Sequence, residues 1–182
     1  MSDEQSLLRS LQQGDQTALR CLYERCKDDL LTVASCLLVD RAAAEDCVHD
    51  VVVSFAAGAA KIHLRGTLKG YLLACVANRA RDELRRRAHH VSLAGAEDDP
   101  RLAAVGADPA SEVEGREETA RLQEALAGLP YEQREAITLH LHGGLTFRDI
   151  ARQQGISINT VQSRYRYGIA RLSELLARGS KT

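Results

Sequence analysis

The spacing of apolar residues in the first half of the chain predicts a series of amphipathic helices. Across residues 17–39 they recur every three or four positions, which places them on one face of a helix. Asp40 is a suitable N-cap for a second helix over residues 41–60. A third helix is predicted over 71–87, after a loop at 63–70 that holds two glycines. The face predicted to be buried in the first of these helices comprises Leu19, Leu22, Tyr23, Cys26, Leu30, Val33 and Leu37.

The helical periodicity stops at residues 89–112, where Gly, Ala, Asp and Pro dominate. Such a stretch is typical of a linker. We therefore predict two small helical domains, over residues 1–88 and 113–182, joined by a flexible linker. The predicted fold class is all-α, because no segment alternates apolar and polar residues as a strand would.

The last third of the chain has the spacing of a helix-turn-helix. Thr146 can cap a helix that runs to Gln154. The small Ala151 allows a second helix to cross closely, and Gly155 can adopt the positive φ of the turn. Val161, six residues after Gly155, returns to the core. Three distinct steric requirements are met at fixed spacing, which favours a helix-turn-helix over an unrelated helical hairpin.

The second helix of this motif begins with side chains that suit DNA. In a helix-turn-helix it enters the major groove by its N-terminal part. Asn, Gln and Arg side chains hydrogen-bond to base edges and phosphates. A helical hairpin with a polar outer face remains the alternative. The predicted DNA-binding residues are Ser157, Ile158, Asn159, Thr160, Gln162, Ser163, Arg164 and Arg166.

Charge is distributed unevenly, although the formal net charge is −1. Residues 61–90 carry 8 Lys and Arg against 2 Asp and Glu, and residues 128–182 carry 8 against 4. Residues 1–60 carry 5 against 10, and residues 91–127 carry 3 against 9. Two basic segments separated by an acidic one predict two contacts with a polyanion, although solvated helix faces would give similar counts.

The five cysteines do not form a C-x-x-C pair, and each lies at or near an apolar helical position. They are best interpreted as buried free thiols of an intracellular protein, with a redox or zinc role as the alternative. His140 and His142 are two residues apart and would point to different faces of one helix. We therefore predict neither a metal site nor a cofactor.

The chain lacks an apolar run long enough to span a bilayer, and its first residues are polar and acidic rather than basic and apolar. These features predict a cytoplasmic protein without membrane insertion. No phosphate-binding loop, catalytic triad or pair of buried carboxylates can be identified, so an enzyme is not predicted.

Two segments together resemble one protein family. AAAEDCVHDVVVSF and YLLACVANRARDELRRR resemble region 2 of sigma-70 family factors, and LPYEQREAITLHLHGGLTFRDIARQQGISINTVQSRYRYGIARLSELL resembles their region 4. The order of these regions is similar to that of the extracytoplasmic-function subgroup, which keeps only these two. The resemblance implies a non-enzymatic factor that binds core RNA polymerase and directs promoter recognition and transcription initiation. A stand-alone helix-turn-helix regulator with an N-terminal sensing or dimerisation domain is the alternative.

The resemblance also implies a division of labour among the residues. Region 2 would contact the clamp of the polymerase β′ subunit and open the −10 element, whereas region 4 would read the −35 element and contact the β flap. An anti-sigma factor is a further expected partner. Tyr71 stands where family members usually carry Trp. The implied contacts with core polymerase are Glu45, Asp46, His49 and Asp50, and those with the −10 element are Lys69, Tyr71, Asn78, Arg79, Arg81, Arg85 and Arg86.

Overall fold

The computed structural model describes residues 3–62, 64, 66–93 and 113–179. Throughout these residues the regular structure is helical, which confirms the predicted all-α class. A short 3₁₀ turn over Ala59–Lys61 follows α3. The helices are α1 (Asp3–Gln12), α2 (Gln16–Leu38), α3 (Arg41–Gly58), α4 (Leu68–Leu93), α5 (Val113–Ala127), α6 (Tyr131–Leu141), α7 (Phe147–Gln154) and α8 (Ile158–Gly179).

Aspartates cap the N-termini of α2 and α3. The Asp15 carboxylate accepts hydrogen bonds from the backbone N–H groups of Thr17 and Ala18, at 2.8 and 3.3 Å. Asp40 accepts from the N–H of Ala43 at 3.3 Å, so the predicted cap is confirmed. These bonds satisfy N–H groups that have no partner within the first turn of a helix. Both helices therefore begin within one residue of the positions that the sequence predicts.

The boundaries of α4 differ from those predicted. The helix begins at Leu68 rather than at residue 71, because the Thr67 hydroxyl accepts the Gly70 N–H at 3.0 Å and caps the first turn. The Glu4 carboxylate accepts the Leu68 N–H at 2.7 Å. The helix also runs to Leu93, past the predicted start of the linker at residue 89, since no Gly or Pro occurs between Tyr71 and Gly95 to end it. The rest of the predicted linker, residues 94–112, lies outside the described residues.

The first domain is built around α2, which packs against α3 and α4. Its core includes side chains from all three helices that are almost entirely shielded from solvent. The prediction that Tyr23 is part of the buried face of α2 is wrong, because Tyr23 is 38% exposed. It lies at the edge of the apolar stripe, where periodicity alone does not separate the core from its rim. The fully buried core side chains include Leu30, Val33, Leu37, Leu72, Leu73 and Val76.

The second domain consists of α5 to α8. A small cluster that includes Leu126, Ile137 and Leu172 holds α5, α6 and α8 together. On its other side, the domain contributes Leu139, Ile150 and further residues to the same apolar cluster that forms the core of the first domain. The two domains therefore lie in direct contact. The domain boundaries at residues 88 and 113 remain a prediction.

Candidate nucleic-acid interface

The turn between α7 and α8 has the geometry of a helix-turn-helix. The Thr146 hydroxyl accepts the Asp149 N–H at 3.2 Å and caps α7. Gly155 ends α7 with φ of 67°, and its N–H donates to the Ala151 carbonyl. Val161 is fully buried. The steric features predicted from the sequence are therefore confirmed, and they fix the direction in which α8 leaves the turn.

The first two turns of α8 present most of the predicted DNA-binding side chains to solvent. Ser157 caps the helix, because its hydroxyl accepts the Thr160 N–H at 3.0 Å. Ile158 is 39% exposed, although it is apolar. Positions spaced by three or four residues share one side of a helix, so part of the set forms a continuous stripe. The members of that stripe are Asn159, Gln162, Ser163 and Arg166.

The two arginines of the predicted set are held differently. Arg166 is exposed, and its guanidinium carbon lies 5.4 Å from the centroid of the Tyr167 ring. Arg164 is half-buried and donates to the side-chain oxygen of Gln154 at 3.1 Å. The bond to α7 limits the directions that the Arg164 side chain can take. Arg164 is thus held against α7, whereas Arg166 is exposed to solvent and lies over the ring of Tyr167 on its own helix.

An aromatic cluster packs against the inner face of α8. His140 of α6 stacks on Phe147 of α7, with ring centroids 4.2 Å apart, and both rings contact Tyr165 of α8 edge-on. The His140 Nδ1–H donates to the Leu145 carbonyl at 2.8 Å. Tyr165 therefore packs inward, whereas its neighbour Tyr167 is 60% exposed. The cluster joins three helices and fixes the angle at which α8 projects.

The α4 residues implied in −10 contacts do not form a single patch. Tyr71 and Arg79 line a cleft of about 830 Å³ between α3 and α4. The Tyr71 ring lies 6.0 Å from that of Phe55, at 56°. Burial of the hydroxyl raises the pKa of Tyr71. The Arg79 guanidinium forms an ion pair with Asp50 across the cleft wall. This cleft thus combines aromatic surface with two cations and two carboxylates, and its aromatic and cationic part suits a flat ligand that carries a phosphate, such as a nucleotide.

The other predicted α4 contacts do not line this cleft. Lys69 pairs with Asp29 of α2 at 2.6 Å. Arg81 pairs with Glu135 of the second domain at 2.6 Å, and it also donates to Asn78 at 3.2 Å. Arg85 and Arg86 are exposed further along α4. Most of this basic surface is therefore engaged by carboxylates within the chain.

The acidic residues of α3 divide between two surfaces. Glu45, Asp46 and His49 line a groove between α2 and α3, together with Tyr23 and Val53. Sequence reasoning missed Tyr23 and Val53, although three consecutive valines at 51–53 already require that at least one faces outward. Val53 is 52% exposed. Asp50, predicted as part of the same contact, instead lines the cleft beside Arg79. The groove offers apolar surface flanked by acids, which suits a basic, partly apolar protein segment.

The cysteines are free thiols. Cys26 and Cys47 are buried, and the other three are half-buried. Burial raises the pKa of Cys47 to about 11, which leaves its thiol protonated at neutral pH. Among the described residues, no group of three or more His, Cys, Asp or Glu side chains is arranged to hold a metal ion. The described helices also include none with the length and apolarity needed to cross a membrane.

Family descriptions match both halves of the chain. "Sigma-70 region 2" matches residues 22–90, and "Sigma-70, region 4" matches residues 119–172. The first match covers the three-helix core with its cleft and groove. The second covers most of α5, the whole of α6 and α7, and α8 as far as Leu172. The matched regions thus coincide with the surfaces described above.

Individual proteins are similar to almost the whole chain. The extracytoplasmic-function RNA polymerase sigma factor SigK of Mycobacterium tuberculosis is 28% identical over 181 residues, which cover 96% of this chain and 94% of SigK. SigM of the same species is 31% identical over 164 residues, covering 90% of this chain and 79% of SigM. These matches span both domains and the segment between them.

Two solved structures share this fold. One is the sigma factor RpoE in complex with the anti-sigma factor NepR from Bartonella quintana, with a TM-score of 0.72, 25% identity, and coverage of 87% of this chain and 96% of RpoE. The other is CnrH in complex with the cytosolic domain of CnrY, with a TM-score of 0.74, 21% identity, and coverage of 97% and 99%. The second likeness is one of fold alone.

Proposed function

We propose that the two domains of this chain, which belongs to the extracytoplasmic-function subgroup of the sigma-70 family, recognise different elements of a promoter. As a sigma factor it directs RNA polymerase to promoters and initiates transcription. The match to region 2 over residues 22–90 disfavours a stand-alone helix-turn-helix regulator, which would not need that domain. The chain acts in the cytoplasm and has no catalytic activity of its own.

The second domain reads duplex DNA at the −35 element. The exposed stripe on α8 supports this assignment, because its amide and guanidinium groups are free to reach base edges in the major groove. Arg166 and the Ser157 cap at the helix N-terminus suit phosphate contacts. Arg164, held by Gln154, has the fixed orientation that a base contact requires. The observation that carries this part of the proposal is the open N-terminal half of α8.

The first domain opens the −10 element and holds one strand. The cleft beside Tyr71 supports this role, because an aromatic ring provides a stacking surface and Arg79 provides positive charge for a backbone phosphate. The cleft is open to solvent, and its volume of about 830 Å³ is ample for a flipped base with its sugar and phosphate. The exposed Arg85 and Arg86 extend the basic track along α4. Asp50 competes for Arg79, so entry of DNA requires that ion pair to break.

The groove between α2 and α3 contacts the β′ clamp of core polymerase. The carboxylates of Glu45 and Asp46 at its rim, with His49 beside them, and its apolar Val53 support docking of a basic helical segment. The second domain contacts the β flap. An anti-sigma factor is a further proposed partner, by analogy with RpoE, whose structure was solved with NepR.

Promoter-directed transcription with purified core polymerase tests this proposal. Start sites mapped in cells that overexpress the protein supply the promoter, and the protein is then added to core with that template. We expect specific transcripts only when the protein is present. If core gains no promoter specificity, the proposal fails.

The role of α8 is tested with Arg164→Ala. This change is expected to reduce −35-dependent initiation by about 10- to 100-fold, since a lost base contact costs about 1–3 kcal/mol, while binding to core stays unchanged. Arg178→Ala removes the same side chain from the last turn of α8 and serves as the control. Equal loss of initiation and core binding in Arg164→Ala would contradict the assigned role.

A further inference from the structure

The side chain of Gln154 connects the two helices of the helix-turn-helix. Gln154 is the last residue of α7, and its side-chain oxygen accepts a hydrogen bond from Nη1 of Arg164 at 3.1 Å. Arg164 lies in the second turn of α8, on the other side of the Gly155 turn. The bond therefore joins the end of α7 to a side chain that the proposed function assigns to DNA.

The Gln154 amide makes this bond although the rest of the amide is left without a partner. A guanidinium carries only donors, so the amide oxygen has to face Arg164 and the amide nitrogen points elsewhere. The Nε2 atom of Gln154 is buried and has no hydrogen-bond partner among the described residues. A buried donor that has lost its bonds to water and gained no others weakens the fold. An apolar side chain of the same length would avoid this penalty, so stability alone does not explain a glutamine here.

The partner of Arg164 is also uncharged. Elsewhere in the described part of the chain, Arg79, Arg81 and Arg152 each form an ion pair with a carboxylate. A carboxylate occupies the same N–H donors that a phosphate or a base needs, and it balances the positive charge. An amide oxygen leaves that charge in place. A guanidinium has several N–H groups, so a single bond to the amide leaves others for acceptors on DNA.

Restricting the Arg164 side chain affects which acceptor on DNA it selects. An arginine that contacts a base through two hydrogen bonds has to hold its guanidinium in one plane and one direction. An unrestrained arginine loses side-chain entropy when it adopts that geometry, and it can turn to a nearby phosphate instead. Because the bond to Gln154 already restricts Arg164, less entropy is lost on the matching base. The restraint therefore favours discrimination between bases.

We propose that Gln154 is a positioning residue, whose neutral side-chain oxygen orients Arg164 toward one base pair of the −35 element without cancelling its charge. Gln154 acts through Arg164 and does not itself contact DNA. The inference rests on the base contact that the proposed function assigns to Arg164. The effect of Gln154 on stability is independent of that contact, since it follows from the buried Nε2 atom alone.

Gln154→Met tests the positioning role, because methionine keeps the length of the side chain and removes the amide. Initiation by the whole chain with core polymerase is measured on the mapped promoter and on variants with each base at each −35 position. We expect the preference at one base pair, the one that Arg164→Ala also affects, to fall by about two- to tenfold, the cost of ordering one long side chain. Preferences at the other −35 positions should stay as in the wild type.

Thermal unfolding of Gln154→Met separates positioning from a structural role. Because the variant no longer buries an unpartnered donor, we expect its melting temperature to be unchanged or slightly higher. A purely structural role predicts the opposite result, a lower melting temperature with unaltered base preferences, and that result would overturn the proposal. Gln153→Met is the matched control: it removes the neighbouring amide of α7, which donates to the Gly70 carbonyl, and should retain every base preference.

Gln154→Glu tests whether the partner of Arg164 has to be neutral. A carboxylate would hold the guanidinium at least as firmly, but it would pair with the charge. We expect initiation to fall by about tenfold, and the slope of log affinity for the promoter against log salt concentration to become shallower by about one. Initiation at the wild-type rate with an unchanged slope would contradict the requirement for a neutral oxygen and overturn the proposal.

The double variant of Gln154→Met and Arg164→Ala decides whether Gln154 acts through Arg164. We expect Gln154→Met to change no base preference once Arg164 is absent. The proposal is overturned if Gln154→Met has the same effect with and without Arg164. It is also overturned if Arg164→Ala loses a preference that Gln154→Met retains in full, although the proposed function then stands. If Arg164→Ala itself keeps every preference, the base contact in the proposed function is wrong, and the positioning role is wrong with it.

Discussion

Asp46 and Asp50 lie one turn apart on α3 but face different surfaces. Asp46 borders the groove with Tyr23 and Val53, whereas Asp50 pairs with Arg79 at the cleft. The resemblance to sigma factors assigns both residues to one contact. The structure instead separates them, and this gives the charge of Asp46 a role that can be tested independently of strand opening.

Asp46→Arg is expected to weaken association with core polymerase by about tenfold or more, because a reversed charge would then face the basic partner that the groove is proposed to bind. Fluorescence titration of labelled protein with core measures the affinity. Glu118→Arg makes the same reversal on exposed surface of α5, away from the groove, and is expected to have little effect. If Asp46→Arg binds core polymerase with wild-type affinity, the proposal that the β′ clamp contacts the groove at Asp46 is wrong.

Single residues were predictable where their role is local. Thr146, Gly155 and Val161 meet requirements set by residues within a few positions of them, and the structure confirms each. Tyr23 was predicted inside because its position has the correct period. A residue at the edge of the apolar face of a helix is buried only if a neighbouring helix covers it. The spacing of apolar residues along one helix does not show where the neighbouring helix lies.

At the scale of elements, the turn between α7 and α8 sets the direction of α8. Gly155 has a φ of 67°, a region that costs a residue with a Cβ atom about 1–2 kcal/mol. The space around Gly155 is open, so backbone strain is the only penalty for adding a methyl group. The turn therefore requires glycine at position 155 because of the backbone conformation and not because of close packing.

Gly155→Ala is expected to destabilise the protein by about 1–2 kcal/mol, which lowers the melting temperature by about 2–8 °C for a chain of this size. Gly58→Ala is the matched control, because Gly58 has a φ of −99° and also has open space around it. It should leave the melting temperature unchanged or raise it slightly, since alanine restricts the unfolded chain. Thermal unfolding followed by circular dichroism measures both. Equal effects in the two variants would contradict a special role for the turn.

The ends of α4 show why element boundaries were harder to predict than element types. Two glycines at residues 66 and 70 suggested a loop, yet Thr67 caps the helix and Gly70 lies inside it. The Glu4 side chain, 64 residues away from Leu68 in the sequence, completes that first turn. A bond to α1 is a tertiary contact, so the local sequence does not reveal it.

At the scale of the whole molecule, the contact between the domains could not be predicted from the sequence. Arg81 and Glu135 are 54 residues apart, and the spacing of charges along the chain does not indicate that they pair. The alternating basic and acidic segments predicted where charge lies, but not which charges meet. The structure shows that much of the basic surface of α4 is neutralised within the chain.

The length of the segment between the domains limits how far they can separate. The predicted linker, residues 89–112, could span about 80 Å if it were fully extended, at about 3.3–3.6 Å per residue. The −10 and −35 elements are about 25 base pairs apart, which is about 85 Å along B-DNA at about 3.4 Å per base pair. The fully extended linker is therefore about as long as the distance between the two elements. The described part of α4 already includes residues 89–93 as helix, which shortens the available reach.

Deletion of residues 97–108 is therefore expected to abolish initiation that depends on the −35 element, while binding to core through the first domain is retained. Replacement of the same residues by a Gly-Ser segment of equal length preserves the reach and should restore initiation. Transcription and core-binding assays are compared for the two variants. If the deletion initiates as well as the replacement, reach is not the limiting property.

Arg81 is proposed to contact DNA, and in this structure it pairs with Glu135 of the second domain. A substitution of Arg81 therefore removes two interactions at once, whereas a substitution of Glu135 removes only the pair between the domains. Glu135→Gln would keep the shape of the buried side chain and remove its charge, so that the positive charge of Arg81 would no longer be balanced by that carboxylate. A change in the second domain can thus alter the charge that the first domain presents.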